Sequence, residues 1–518
     1  QSWRDEYYMT LELYNSIAQA TFRLRDFPGT DKAVSSVMTN GRSFHDKINC
    51  LMLQMYSYEV RLRVKDAIEL GLDVLQQLGE PIPKNAGTQH IVMELFKIKR
   101  ILKKRSDASI AGLPDMTDQA KLSAMGVLNL LFTSCFIAMP KLFPLVAFKL
   151  LNLTLDHGAS AVSSMACAGV GVVMANIGDI DMGYRLGQIA LMFIGRYNAV
   201  RNDWIPRVYV WHYGLIAPSK EPIGPVLDKL AHAHHVGLEC GDVEMAFLGL
   251  SMCRYFTWYA GYSLIDLEPK MRSALELMKS KNQTLWYEMT HISHEAMLII
   301  MDRASDPAVT GGCLMAEENG SGKLKQVLQI ANLEIDVYLC GVHMHKMVVA
   351  YHCGDFDLAF EMAKRSRNAR KRFGTSMAAP YQVSYDAYTC MAVLRQRKFS
   401  PIGKWLLLRQ VRGCLLYLKK NAAAAPENYV HKIHLIEGDM LAYHKKPAQA
   451  LAKYTQAQEE AHRYGFLDVV AIASEREALT RTDFGMSDQM ESYQKAIACY
   501  EVWGAYAKAA RMKQTMRP

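Results

Sequence analysis

The side chains best equipped for chemistry in this chain are its histidines, and they come in groups. His232, His234 and His235 crowd one stretch, His343 and His345 a second, His431 and His434 a third, and His291-Ile-Ser-His294-Glu295 forms a fourth. On a helix only residues three or four apart share a face, so 232/235, 291/294 and 431/434 are the pairs that could hold one metal ion. No cysteine or carboxylate completes a recognisable ligand pattern beside any of them. The order of His291, His294 and Glu295 is wrong for either zinc-protease helix motif. These histidines therefore read as partly exposed or hydrogen-bonded imidazoles. Gly322-Lys323 superficially suggests a phosphate loop, but Glu317 stands where the first glycine belongs, and Leu324 where a hydroxyl must meet magnesium. Gly169-Val-Gly171-Val-Val-Met174 lacks the third glycine of a dinucleotide loop and follows no strand. Tight helix–helix packing accounts for it better. No nucleophile elbow occurs. The expectation is a chain with no catalytic residue, no metal site and no cofactor, and so not an enzyme.

Two aromatic stretches, Trp204 to Tyr213 and Tyr255 to Tyr259, could line a ligand groove, but aromatics at helical spacing ordinarily fill hairpin interfaces. The basic runs Lys97 to Arg105 and Lys364 to Arg372 both fall late in apparent helices, where cations complement the helix dipole. Neither is interleaved with stacking aromatics, so nucleic acid is not expected as a partner. The most apolar stretch, Gly126 to Pro140, is short for a bilayer span and is followed by Lys141, so a buried helix is expected rather than membrane insertion. Eleven cysteines occur singly, with no C-x-x-C, which suits free thiols in a reducing, cytoplasmic setting. The N-terminal Gln-Ser-Trp-Arg-Asp-Glu has no signal-peptide character, and the missing initiator Met suggests a segment of something longer or a processed product.

What must position these residues is helical. At 518 residues the chain exceeds the size at which one compact core keeps growing. Its hydrophobic fraction of 50% and charged fraction of 21% are those of a folded protein, while 33 Gly and 17 Pro are few for an all-β chain of this length. One pattern recurs. Gly178-Asp179-Ile-Asp-Met-Gly-Tyr184 reappears as Gly241-Asp242-Val-Glu-Met-Ala-Phe247, and again as Gly354-Asp355-Phe-Asp-Leu-Ala-Phe360. Glycine in the left-handed conformation ends one helix, aspartate caps the next, and an acid follows in its first turn. The small residue admits a neighbouring helix and the aromatic fills the groove beside it.

Helix, tight turn, helix written three times predicts an all-α fold, a right-handed α-solenoid of TPR-like helical hairpins. Asp26-Phe-Pro-Gly-Thr-Asp31 should separate a helix over about Trp3–Arg25 from one starting near Asp31. Arg207–Leu215 is the best strand candidate, and helix is still preferred there. Arg303–Lys323 breaks the helical pattern and reads as a surface loop, giving hairpins over 1–106, a central array over 107–302, the loop at 303–323 and a second array over 324–518.

Several segments together resemble one family, the helical region of multidomain serine/threonine kinase–ATPase–sensor histidine kinase proteins whose ATPase is of the STAND class. They include Arg42-Ser-Phe-His-Asp-Lys47, Leu78-Gly-Glu-Pro-Ile-Pro83, Leu113-Pro-Asp-Met-Thr-Asp118, Gly178–Tyr184, Ala425-Pro-Glu-Asn-Tyr-Val-His-Lys432 and Tyr500-Glu-Val-Trp-Gly-Ala505. Such proteins carry kinase and P-loop ATPase modules outside this region, and none of those motifs occurs here. The resemblance implies a regulatory or scaffolding arm that takes a protein or interdomain partner in its concave groove. The alternative is a superhelical receptor for a small-molecule ligand, of the maltotriose-activator type.

Overall fold

The structure, a computed structural model, describes residues 2–61, 63–83, 87–306, 314, 335–367 and 376–515. Among them are twenty-five α-helices, two short 3-10 turns and no strand beyond an isolated bridge between Asp115 and Ala159. The chain is all-α, a succession of antiparallel hairpins. Of the stretch Arg303–Lys323, only 303–306 and Leu314 lie within the described residues, as do only Lys364, Arg365 and Arg367 of the second basic run's cations. The Gly322-Lys323 motif and Cys313 lie outside them.

The residues divide into two compact units, one mainly of Gln1–Met174 with Arg185–Trp204, the other mainly of Ile205 onward with Ala175–Tyr184. The first unit contains α1 (Ser2–Asp5), α2 (Tyr7–Arg23), α3 (Phe27–Asn40), α4 (Phe44–Val60), α5 (Val64–Gln77), α6 (Thr88–Lys104), α7 (Asp107–Ala111), α8 (Gln119–Ala138) and α9 (Phe143–His157). In sequence α10 (Ser163–Asn176), α11 (Ile180–Arg196) and α12 (Arg201–Leu215) follow. Local chemistry sets the boundaries. α3 starts at Phe27 rather than near Asp31, because the Asp26 side chain accepts from Gly29 N at 3.0 Å and Pro28 occupies the first turn. Ser43 and Asp46 form a reciprocal capping box on α4.

α8 is long and apolar enough to cross a bilayer by length and composition, yet most of it is buried against α4, α5 and α9. Gly169 shows how closely the helices approach: a Cβ there would lie 2.3 Å from the Phe132 ring. The glycines of the rejected dinucleotide motif thus sit within a buried helix, Gly169 against the Phe132 ring. Glu80, just past α5, reaches Lys121 on α8 and Lys149 on α9 and ties three elements together. Arg185 closes α6 by donating to the Leu102 carbonyl at 2.9 Å while pairing with Asp107 at 2.6 Å. The first basic run therefore ends where α6 ends.

The second unit is a run of hairpins: α13 (Ile223–Cys240) with α14 (Val243–Tyr259), then α15 (Leu264–Ser280) with α16 (Thr284–Ile300). α17 (Ile335–Cys353) pairs with α18 (Phe356–Ser366), and α19 (Ala378–Gln396) with α20 (Pro401–Ala422). α21 (Pro426–Tyr443) packs on α22 (Pro447–Tyr464), α23 (Leu467–Asp483) on α24 (Gln489–Trp503), and α25 (Tyr506–Thr515) closes the series. α19 is buried on every side from Ala378 to Leu394 and forms part of this unit's core. The aromatic stretches belong there too: Trp211, Phe256, Trp258 and Tyr259 are all buried in hairpin interfaces. Arg207–Leu215 is helix.

Candidate functional site

At the three Gly-Asp turns Gly178, Gly241 and Gly354 have φ of +90°, +84° and +74°. Asp179, Asp242 and Asp355 accept from the backbone N–H of Met182, Met245 and Leu358 at 3.4, 3.5 and 3.0 Å. Each pair ends one helix and caps the next. Asp242 has a second role that its sequence context did not reveal. Its other oxygen pairs with Arg207 Nε at 2.7 Å. Next to that pair, burial and the Asp242 charge push the Glu244 carboxyl up to about 7, against the pull of Arg207. The turns are far apart in the sequence, and the structure gives them mechanical roles rather than a shared site.

The histidines take separate partners: His235 faces Glu239 at 3.2 Å, His434 meets Lys453 at 3.2 Å and His232 lies 5.9 Å from the Tyr209 ring. His291 Nδ1 faces Glu295 at 2.8 Å, His294 Nε2 faces Glu268 at 3.3 Å, and His345 bridges Ser293 and the Gly341 carbonyl at 2.9 and 2.8 Å. His234 meets the Ala246 carbonyl at 2.9 Å, while His431 is buried against the Phe466 ring at 4.1 Å. Among the described residues no three His, Cys, Asp or Glu side chains converge as metal ligands.

The concentrated polar chemistry lies elsewhere, in the second unit, on residues of which only Tyr500 falls in a segment singled out above. α23 presents Glu475 and Arg476, both buried, to different neighbours. Arg476 Nη2 donates to the Tyr351 hydroxyl of α17 at 2.7 Å, and its Nε lies 3.5 Å from Asp439 of α21. The Tyr454 hydroxyl of α22 donates to the same Asp439 oxygen at 2.9 Å. Tyr454 comes this close because Gly438 has no side chain; a Cβ there would lie 2.5 Å from the ring. Glu475 accepts from the Tyr500 hydroxyl at 2.6 Å and from Lys508 Nζ at 2.7 Å, joining α24 and α25. One arginine and one glutamate thus lock four other helices onto α23, and Asp439 ties α22 to α21 beside them.

Electrostatics separates the two buried carboxylates. Burial pushes Asp439 up from the usual carboxylate range, and Arg476 with the Tyr454 hydrogen bond does not fully offset it. Glu475 is also buried, but Lys508, Arg476 and the Tyr500 hydrogen bond overcome burial and hold it down to about 2. Beside this network is a cavity of about 80 Å³, lined by Asp439, Tyr454 and Arg476, with Arg395, Tyr443 and Asp483 closer to solvent. Asp439 Oδ2 has no hydrogen-bond partner among the described residues. Two guanidinium groups and two carboxylates leave the lining electrically neutral. The volume is that of about two or three waters, at roughly 30 Å³ each.

A second buried pair lies on α21 and α23. The Lys432 ammonium sits 5.1 Å from the Phe466 ring without a hydrogen-bond acceptor among the described residues, and burial lowers it to about 8. Burial raises Asp468 to about 6, with Lys432 pulling the other way. Its carboxylate fits only because residue 261 is glycine, at φ +66°; a Cβ there would lie 1.8 Å away.

No family model matches the chain. Over 215 residues, 38% of this chain, it is 23% identical to hybrid signal transduction histidine kinase G of Dictyostelium discoideum. The aligned stretch spans 6% of that protein's length. Among solved structures, a circular tandem repeat protein with novel repeat topology and enhanced subunit contact surfaces aligns over 98% of this chain and 97% of its own, at 9% identity and a TM-score of 0.15. The chain is thus an all-α helical-hairpin protein with partial sequence similarity to a signalling histidine kinase.

Proposed function

We propose that this chain is a non-catalytic regulatory or scaffolding module of a larger cytoplasmic signalling protein, in which kinase and ATPase chemistry belongs to other modules. The observation that carries the reading is the similarity to a hybrid signal transduction histidine kinase, found in a chain built of helical hairpins. The sequence resemblance to the helical region of kinase–ATPase–sensor histidine kinase proteins supports it. So does the use of the buried charges, since Glu80, Arg476 and Glu475 are engaged in joining helices. Stacked hairpins offer extended surfaces to a protein segment or to another domain of the same polypeptide. Such docking shifts a conformational equilibrium by its differential affinity for two states.

The purified chain should transfer no phosphate from ATP and hydrolyse none. In the intact signalling polypeptide, substitutions on exposed hairpin faces should change the autophosphorylation rate several-fold. A rate indifferent to every such substitution would remove the regulatory role, and phosphotransfer by the isolated chain would remove the non-catalytic one.

One observation favours a second reading, a helical receptor for a small-molecule ligand. The cavity beside Asp439 is lined by balanced charges among apolar atoms and is supplied with an unpartnered carboxylate oxygen. It opens to solvent at Arg395 and Asp483, so about 80 Å³ bounds only the buried part of an occupant. A thermal-shift screen of small zwitterions and ammonium compounds tests it, because a ligand at about 100 times its Kd adds about 2.7 kcal/mol. A shift that persists in Asp439→Asn would not come from this cavity.

A further inference from the structure

α20 buries one narrow seam, half-buries Leu408, Gln410, Leu415 and Tyr417 around it, and leaves its outward side in solvent. Leu407, Val411, Cys414, Leu418 and Asn421 face inward, and Gln410 donates to Asp386 of α19 at 2.7 Å. On the outward side Ile402, Trp405, Leu406 and Leu416 are 72%, 54%, 52% and 69% exposed. At 100° per residue these four fall within one arc of the helix. The helix also carries Lys404, Arg409, Arg412, Lys419 and Lys420, and no acidic residue. Lys419 pairs with Glu437 at 2.7 Å, whereas Lys404, Arg409 and Arg412 have no ion-pair partner among the described residues. The Arg409 guanidinium lies 5.3 Å from the Trp405 ring centroid.

Gly413 lies in the same arc, between Arg409 and Leu416. Glycine inside an exposed helix costs about 1 kcal/mol relative to alanine. Nothing in the molecule requires it, since a Cβ there would meet no atom within 4 Å. Its effect is a notch in the outward face, flanked by Leu406, Arg409 and Leu416.

We propose that this face of α20 docks an amphipathic helix of a protein partner, one that carries carboxylates beside its apolar side chains. The inference rests on the reading of the chain as an interaction module and names the chemistry of what it takes. A partner side chain enters the Gly413 notch and packs on Ile402, Leu406 and Leu416, while partner carboxylates pair with Arg409 and Arg412. Exposed tryptophan and arginine held together are the residue types that dominate interface energies. An anionic bilayer offers the same charge but a poorer fit. A helix lying in a membrane keeps its cations on the flanks of the apolar face, whereas Arg409 sits in the middle of this one.

The test uses the whole purified chain and a fluorescent amphipathic helical peptide, with leucines on one face and glutamates beside them. Its glutamate-to-lysine counterpart and vesicles of phosphatidylcholine with phosphatidylserine are the comparison arms. The glutamate peptide should bind, weaken as salt rises, and lose at least about tenfold in affinity, or 1.4 kcal/mol, with Arg409→Glu. Gly413→Ala should raise the melting temperature, as alanine does in a helix, and yet weaken peptide binding. That split separates a docking notch from a structural glycine. Peptide affinity unchanged in both variants, or equal binding of the lysine peptide, would overturn the proposal. So would vesicle binding abolished by Arg409→Glu without peptide binding, which would assign the face to a lipid surface. Any of these outcomes, with autophosphorylation of the intact polypeptide still responsive to other hairpin faces, would remove α20 and leave the regulatory reading standing.

Discussion

At the scale of single residues, the hairpin turns rest on backbone conformation more than on glycine itself. Gly178, Gly241 and Gly354 use left-handed φ at no steric cost. Arg25, Asn282 and Lys445 adopt the same region, at φ of 58°, 56° and 60°, in turns that no Gly-Asp pattern marks. The Gly-Asp pattern marks three turns through the residue that makes the geometry easy; the turn at Arg25 was legible instead from the capping aspartate and proline of Asp26-Phe-Pro-Gly-Thr-Asp31, and Asn282 carries no comparable signal. Lys445→Gly should therefore stabilise the protein and Gly241→Ala destabilise it, each by about 1 kcal/mol, in urea denaturation. Gly354→Ala should cost about as much as Gly241→Ala, because the group its Cβ would meet at 2.4 Å is the guanidinium of the exposed Arg511, which can swing aside. The buried network makes a second comparison. Arg476→Leu strands Asp439 in the interior and should cost about 3–5 kcal/mol. Asp439→Asn should cost less, because the amide oxygen still accepts from the Tyr454 hydroxyl while the charge removed is one whose burial is only partly offset. Equal losses for the two would mean that Arg476 is not what supports that carboxylate. Neither residue was visible beforehand, since each is an ordinary charged residue whose partners are remote in sequence.

At the scale of elements, amphipathic helices were legible and fully buried ones were not. α5 buries a regular stripe from Ala67 to Leu75, and its period can be read directly. α19 buries every residue from Ala378 to Leu394 and has no polar face to betray its register. α8 is the exception: its apolar run Gly126–Pro140 was read as a buried helix, and the structure extends it to Gln119–Ala138. Capping chemistry was likewise clearer than its placement, since Asp26 starts α3 four residues before Asp31. Packing between buried helices gives the sharpest element-scale prediction. Gly169→Ala places a methyl on the Phe132 ring and should cost about 1–3 kcal/mol through overpacking. Recovery by Phe132→Leu in the double mutant would assign the loss to that contact. A purely additive double mutant would place it in the α10 backbone instead.

At the scale of the whole molecule, burial of imidazoles makes acid stability predictable. Burial lowers His212 and His345 from an ordinary 6.5 to about 4, and His352 to about 3. All three lie inside the second unit, where the neutral form is the one that fits. Unfolding returns them to ordinary values, so below pH 6.5 the unfolded chain takes up protons that the folded chain refuses. Their contribution is complete above pH 6.5 and is lost as pH falls toward 4 for His212 and His345, and toward 3 for His352. Glu475 acts in the same direction lower down, because its carboxylate, held to about 2, loses its contribution as pH drops below the usual carboxylate range. Asp468, raised to about 6, opposes them, since its neutral form is favoured in the fold until pH rises through that value. Glu244, raised to about 7, and Asp439, also raised, oppose them in the same way, but burial lowers His234, His294, His343, His431 and His434 as well, so the imidazoles outnumber the raised carboxylates and net stability should fall between pH 6.5 and 4. The slope each histidine can add is at most about 1.4 kcal/mol per pH unit. Urea denaturation at several pH values, on the chain and on His345→Gln, measures it. The variant starts less stable because contacts to Ser293 and the Gly341 carbonyl are perturbed, but its acid limb should be shallower by up to one proton. Parallel curves for the two proteins would mean that His345 is not among the groups whose protonation opens the fold.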